Sequence, residues 1–322
     1  SKNQFNATTF DAIVVAIITL EGFAGTWINV FLVSVLCMDW VKRKTLNSNE
    51  KMLLLLGCCR SCYLSISWIY NLFSIIYPKY FYVVPILQLV VSIQSSLNDF
   101  SLCVSACLCV FYCIKIANFR NSLFIYLKVK IDRTVPWLLL GSVLFSLVIG
   151  IVVYDITDKA LCKNLNETCQ VCVWKASIRR EEHFFPVFLI SGFVFVSSFM
   201  AVIFSALLLL FSLWRHKCNM QINSTKDFSM DAHIRAMKSI LFFLIIYSIN
   251  FIVLILMLIY SMKNQIHLFG TFSVFLDAFP VFHSLILILS KPKLKNTMLK
   301  ILPCVKCKDL HEVRTVTKDG AH

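Results

Sequence analysis

Long apolar runs separated by short polar segments dominate this sequence. Seven of the runs are long enough to cross a bilayer core of ~30 Å, which takes about 20 residues of helix. Their apolar residues are continuous rather than alternating, which predicts helices and not barrel strands. The predicted spans lie near residues 10–38, 53–77, 81–113, 135–155, 184–214, 239–262 and 266–289. The predicted fold class is an all-α membrane protein, a seven-transmembrane helix bundle.

Composition and charge support this interpretation and predict an orientation. Of the 322 residues, 58% are hydrophobic and 15% are charged, whereas soluble domains are nearer a quarter charged. The net charge of +14 does not indicate nucleic-acid binding, because the basic residues lie in short loops, where they report topology. One side of the predicted membrane carries 22 lysines and arginines and the other carries eight. The basic side comprises residues 39–51, 114–134, 215–238 and 290–322.

The positive-inside rule therefore predicts an N-terminus outside the cell and a C-terminus inside it. The predicted organisation is a short extracellular segment (1–9), a seven-helix transmembrane domain (10–289) and a cytoplasmic tail (290–322). No basic segment followed by a small-residue cleavage site opens the chain, so the first span is expected to direct insertion.

The longest predicted outer loop, residues 156–183, carries modification signals. Asn166 begins the sequon NET and is the predicted glycosylation site. Cys162, Cys169 and Cys172 share this loop, where two of the three could form a disulfide that the sequence does not assign. A second pair of ligands beside the two later cysteines is missing, so neither a metal site nor a cofactor is predicted.

Ionisable side chains within the first two spans suggest a structural contact. Glu21, Gly25 and Asn29 recur every four residues and lie on one face of the first helix. Arg60 lies at a similar depth in the second helix as Asn29. Because an unpaired arginine in a bundle is costly, we expect Asn29 or Glu21 to bind Arg60 as a structural polar clamp.

Two further stripes of polar side chains lie on the third and seventh predicted helices. Both sets step by four, three and four residues, which is one helical face. The two stripes could line a water-filled cavity open to the outside, or they could hydrogen-bond between helices without any ligand. Asp99 adjoins the first stripe. The stripes are Gln94, Asn98, Ser101 and Ser105 on the third helix, and Ser273, Asp277, Pro280 and Ser284 on the seventh.

Enzyme signatures are not visible: the sequence contains neither HExxH, GxSxG nor a P-loop. The spans also lack the repeated arginines of a voltage sensor and the doubled broken helices of many transporters. The seven-helix layout predicts a receptor, with a channel or transporter as the alternative from another class.

Five ordered segments resemble bitter (type 2) taste receptors, and together they cover nearly the whole chain. The first, FYCIKIANFRNSLFIYLK (111–128), resembles the family's signature at the end of the third helix. The others are EGFAGTWINVFL (21–32), FSLWRHKCNM (211–220), DAHIRAMKSILFFLIIY (231–247) and FPVFHSLILILSKPKLK (279–295). The pheromone-type (vomeronasal type 1) receptors share the layout, but the first and third segments argue against that alternative.

The resemblance implies a plasma-membrane receptor that binds small bitter molecules in the outer bundle and activates a gustducin-like, inhibitory-class G protein. It implies a coupling or switch region made of Tyr112, Lys115, Trp214, His216, Lys238 and His283. It places Asn98 and Ser273 at ligand-binding positions, with Gln94 where relatives carry a tryptophan. Asp99 and Asp277 lie nearby, and either could attract a protonated amine or stay neutral and hydrogen-bonded inside the bundle.

Overall fold

The computed structural model describes residues 2–76, 84–117, 122–165, 184–222, 228–262 and 269–301. Long α-helices fill almost all of these ranges. In chain order they are α1 (Lys2–Arg43), α2 (Ser48–Ile76), α3 (Val84–Ile116), α4 (Ser122–Leu165), α5 (Phe184–Ile222), α6 (Phe228–Met262) and α7 (Phe269–Ser290). The shortest, α7, has 22 residues, which at ~1.5 Å per residue is still long enough to cross a bilayer core.

A short helix, α8 (Pro292–Ile301), follows α7 after a bend of 103°. Proline is favoured at the first position of a helix, where its missing N–H costs nothing, and it cannot continue the helix before it. Pro292 therefore explains why α7 stops at Ser290. We call the end of the bundle where α8 leaves the tail end. The C-terminal ends of α1, α3 and α5 lie there too. So do the N-terminal ends of α2, α4 and α6.

The helices meet the requirements for membrane spans. Six of them contain stretches of 20 to 32 residues with mean hydropathy between 1.5 and 2.7, and α7 with α8 completes a seventh as a bent pair. Large apolar side chains such as Trp137, Phe204 and Phe242 point outwards, whereas Arg60 and Asp277 are buried. That distribution is inverted relative to a soluble protein and suits lipid as the surrounding solvent. The predicted seven-helix fold class is confirmed.

Helix α3 lies at the centre, packed against α2, α4 and α5, while α1 packs against both α2 and α7. One apolar core lies between α1, α2, α3, α4 and α7 and contains Leu32, Leu56, Leu108 and Ile288. A second core joins α3 to α5, α6 and α7. Helices α3 and α7 contribute to both cores, so the two halves of the bundle meet along these two helices.

A glycine lets α1 approach its neighbours closely. A Cβ atom on Gly25 would lie 2.5 Å from Val281 Cγ2 on α7 and 2.6 Å from Leu64 Cδ1 on α2. Both distances are below van der Waals contact, so any side chain here would push the three helices apart. This close approach holds Asn29, one turn further along α1, against α7.

Helix ends differ from the predicted spans in a regular way. Helix α4 begins at Ser122, well before the predicted boundary at residue 135, and α1 already includes residues 2–9. Hydropathy detects the part of a helix that lies in lipid, while backbone hydrogen bonds continue into the polar flanks. The division into outer segment, bundle and inner tail stays a prediction.

Candidate functional site

A buried arginine forms the centre of the polar interior. Arg60 on α2 is only 1% exposed. Its Nε donates to Ser101 Oγ at 3.0 Å, and its Nη1 donates to Ser284 Oγ at 2.9 Å. Its Nη2 contacts Ser105 Oγ at 3.0 Å and His283 Nδ1 at 2.6 Å. We call these five residues the arginine cluster; it ties α2 to α3 and α7.

The chemistry of arginine fixes the role of His283. A guanidinium has only donors, so His283 Nδ1 must accept the hydrogen bond from Arg60. The imidazole proton is then on Nε2, and the ring is neutral. None of the described partners of Arg60 carries a negative charge, and its charge is dispersed over hydroxyl and imidazole dipoles instead.

The predicted clamp between α1 and Arg60 takes a different form. Asn29 does not bind Arg60 directly; its Oδ1 accepts from Ser284 at 2.7 Å, and Ser284 in turn accepts from Arg60. Asn29 Nδ2 donates to the carbonyl oxygen of Gly25 at 2.8 Å. Glu21 lies eight residues before Asn29, about 12 Å along the helix, which is too far for Arg60. Its Oε2 is buried without a hydrogen-bond partner among the described residues.

Asp277 on α7 is also buried, at 3% exposure. Tyr63 Oη donates to its Oδ1 at 2.8 Å, and Ser67 Oγ donates to its Oδ2 at 2.9 Å. Both oxygens of the carboxyl group are therefore engaged by α2. The contact forms a second tie between α2 and α7, on the side of the arginine cluster away from the tail end.

The two predicted stripes divide into two parts. Ser101, Ser105 and Ser284 belong to the arginine cluster, as the interhelical alternative predicted. Gln94 and Asn98 are half-buried. They lie on α3 further from the tail end than the arginine cluster does. Asp99, beside them, is buried. The backbone of Ser273 lies on α7 one turn from Asp277, and its side chain is outside the described residues.

A row of rings connects the arginine cluster to α6. His283 lies 4.5 Å from Phe243 and 5.6 Å from Phe279, measured between ring centroids. Tyr247 contacts Phe279 edge-on at 5.7 Å, and Arg60 Cζ lies 5.6 Å from the Phe279 centroid. We call Phe243, Tyr247 and Phe279 the aromatic row. Rings packed at these distances attract one another. A movement of His283 therefore changes its contact with Phe243 on α6.

Below the arginine cluster is a cavity of about 250 Å³ at the tail end, which we call the tail cavity. Ser105 and His283 lie at its inner end. At its mouth, Tyr112 Oη donates to Asn49 Oδ1 at 3.0 Å, linking α3 to α2. The Ser239 and Ser290 hydroxyls are hydrogen-bonded, linking α6 to α7. The remaining wall consists of Leu108, Cys109, Ile116, Leu209, Ile240, Phe243, Ile286, Leu287 and Lys291.

The residues predicted for coupling surround this end. Lys115 forms an ion pair of 2.5 Å with Asp132 on α4 and lies 5.9 Å from the Phe111 ring centroid. Trp214 on α5 is 55% exposed, and Lys238 on α6 is exposed. His216 lies on α5 with its side chain outside the described residues.

Several contact residues are missing from the sequence-based prediction. Tyr63 and Ser67 could have been found, since Arg60, Tyr63 and Ser67 step by three and four residues along one face of α2. Asp132 and Asn49 could not, because their partners lie on other helices. Asn166, Cys169 and Cys172 lie outside the described residues, as does the side chain of Cys162; their predicted modifications stay predictions.

The fold is shared with a protein of known structure. The crystal structure of squid rhodopsin aligns with a TM-score of 0.62 over 92% of this chain and 87% of that chain, at 12% sequence identity. At that identity the match shows the fold alone, which is the seven-helix fold of a G-protein-coupled receptor.

Sequence comparison then identifies the family. The family model described as taste receptor protein (TAS2R) matches residues 7–306. Human taste receptor type 2 member 9 is 31% identical over 305 residues, covering 93% of this chain and 96% of that protein. Taste receptor type 2 member 7 of Macaca mulatta is 30% identical over 288 residues, covering 85% and 87%. The chain belongs to the taste receptor (TAS2R) family, as its motifs predicted.

Family membership has direct consequences. The chain is a multi-pass membrane receptor of the plasma membrane, and the pheromone-type alternative is not favoured. Its family is one of receptors rather than enzymes. Membership of this family indicates that the chain binds small-molecule ligands and couples to a G protein.

Proposed function

We propose that this receptor detects bitter small molecules in the half of the bundle away from the tail end and signals at the tail end to a gustducin-like, inhibitory-class G protein. The tail end is then cytoplasmic, in agreement with the basic residues of its flanking segments. An N-glycan on Asn166 would place loop 156–183 on the opposite, extracellular side. Lipid surrounds the apolar outer faces of the helices.

The observation that carries this proposal is the arginine cluster. It joins α2, α3 and α7 around one cation. His283 contacts both that cation and Phe243 on α6. A ligand that binds one arrangement of α3 and α7 better than another shifts the population between them. The aromatic row gives that shift a path to α6 and the tail cavity.

We propose Gln94, Asn98, Asp99, Ser273 and Asp277 as the ligand-binding set. Half-buried Gln94 and Asn98 supply hydrogen bonds to the ligand, and a glutamine in place of an aromatic wall makes the pocket more polar. Asp99 supplies a carboxyl group that favours protonated amines. Asp277 already accepts two hydrogen bonds from α2, so it holds the pocket floor in place.

At the tail end, Tyr112, Lys115, Trp214, His216, Lys238 and His283 form the proposed coupling region. Trp214 and Lys238 are exposed, so they are available to a partner. Tyr112 and Lys115 are engaged with Asn49 and Asp132, and they act as scaffold for that surface. His283 is the switch residue, since it touches both the arginine cluster and α6.

The function is tested by expressing the receptor with a chimeric G protein that releases calcium and by screening a panel of bitter compounds. Calcium release that depends on both the compound and the G protein supports the proposal. Ion flux that persists in cells without the G protein would instead indicate a channel or transporter.

Replacing Asn98 with alanine should weaken the response to at least one agonist found in that screen by about tenfold, the cost of roughly one hydrogen bond. The measurement is the agonist concentration for half-maximal calcium release, at matched surface expression. Ser96→Ala is the control on the same helix, because Ser96 Oγ donates only to its own helix at Ser92. Unchanged potency of every agonist in Asn98→Ala would remove Asn98 from the binding site.

A further inference from the structure

The tail cavity has polar groups at its two ends and an apolar middle. Ser105 and His283 lie at the inner end, and Ser290 and Lys291 lie at the mouth. From His283 to Ser290 is seven residues of helix, which is about 10 Å. The cavity volume is about 250 Å³, far above the ~10–15 Å³ that one water molecule needs. That space has room for a single short apolar chain.

The mouth carries a cation that the protein does not neutralise fully. Burial lowers the pKa of Lys291 to about 8, and the charge of Glu50 opposes that shift, so the side chain is still mainly protonated at neutral pH. In the described part of the chain no acidic oxygen lies within 4.0 Å of its ammonium group. Glu50 is itself engaged, since it accepts from the Asn47 amide at 3.0 Å and lies 3.8 Å from Arg43. Lysine places its charge at the edge of apolar surface with its stem buried. Lys291 therefore presents ammonium hydrogens beside an apolar cavity.

We propose that the tail cavity is a second ligand site, which binds an anionic amphiphile with one short apolar chain. Its carboxylate or phosphate group pairs with Lys291, and the hydroxyls of Ser239 and Ser290 lie at the same level. Its chain lies between Leu108, Ile240 and Leu287. Binding sites of this kind are mostly apolar with a few fixed polar groups.

The occupant reaches the inner end of the cavity beside His283 and lies against Phe243. It therefore contacts the residues that connect the arginine cluster with α6. The site goes beyond the proposed bitter-ligand pocket, since it lies at the other end of the bundle. Binding to purified receptor needs no G protein and no bitter agonist, so it can be tested separately from the proposed function.

The test is equilibrium binding of radiolabelled octanoate and of octyl phosphate to the purified full-length receptor in nanodiscs of neutral lipid. We expect saturable binding of at least one, weakened about tenfold by Lys291→Gln, the effect of losing one charged hydrogen bond. Tighter octanoate binding would indicate free fatty acids as the natural source, and tighter octyl phosphate binding would indicate single-chain lipid headgroups. Lys293→Gln is the matched control, because Lys293 pairs with Asp39 on α1 and does not line the cavity.

Two further variants keep the test decisive. Lys291→Glu should reverse the preference, so that octylammonium binds and octanoate does not. Ile240→Trp should block both by filling the cavity, while the thermal unfolding of each variant reports whether it is folded. Equal octanoate binding by wild type and Lys291→Gln would overturn the proposal, as would octanol competing as well as octanoate does.

Discussion

Replacing Arg60 with methionine should leave the receptor at the cell surface but reduce agonist-driven signalling by at least about a hundredfold. Inserting an arginine at the centre of a membrane helix costs ~2.5–3.5 kcal/mol, and an apolar side chain of similar length removes that cost. The serines lose little, because Ser105 still donates to the Ser101 carbonyl and Ser284 to Asn29. What is lost is the connection between α2, α3 and α7.

The measurement for this prediction pairs surface expression with calcium release. Arg43→Met is the matched control: Arg43 is an exposed arginine at the end of α1, 3.8 Å from Glu50, and exposed pairs contribute little. Full signalling by Arg60→Met would show that the arginine cluster is not part of the coupling path.

Replacing His283 with phenylalanine should destabilise the folded receptor and sharply lower its surface expression. The ring and its contact with Phe243 remain, but Arg60 loses its shortest hydrogen bond, 2.6 Å to Nδ1. Removing one partner of a buried cation costs more than removing the cation itself, here about 1.5–3 kcal/mol. The measurement is surface expression and thermal stability of the purified protein.

Two companion variants separate the acceptor from the ring. His283→Asn keeps a hydrogen-bond acceptor and loses the ring, so it should reach the surface yet signal poorly because the contact with Phe243 is gone. The double variant Arg60→Met with His283→Phe should recover the expression that His283→Phe loses. Equally poor expression of the double variant would mean that the histidine acts in some way other than as a partner of Arg60.

Much of the fold could be predicted because a bilayer sets helix length. Seven apolar runs of more than about 20 residues each are sufficient to predict seven spans. Buried Arg60 and the serine stripes also followed from the cost of polar groups in lipid. The helix ends could not be predicted in this way, because α4 continues into polar flanks as far as Ser122, where hydropathy carries no signal.

The partners of the polar residues were harder to predict. Helical periodicity puts Asn29 and Arg60 on inward faces but does not say how far each helix is rotated or shifted. A direct hydrogen bond between them was the prediction, whereas the structure links them through Ser284. Likewise Lys115 was expected at the helix end, and its ion pair with Asp132 depends on where α4 begins. Such contacts depend on distances between helices, which one sequence does not contain.

An agonist bound in one half of the bundle is expected to change the distance between α6 and α7 at the tail end. The Ser239 and Ser290 hydroxyls touch there, so cysteines at both positions should form a disulfide under oxidising conditions. With that disulfide, confirmed by mass spectrometry, the Ser239→Cys/Ser290→Cys receptor should bind agonist but fail to activate its G protein, and reduction should restore activation. Each single-cysteine variant should signal normally. Undiminished G-protein activation by the fully cross-linked receptor would show that activation does not need α6 and α7 to separate there.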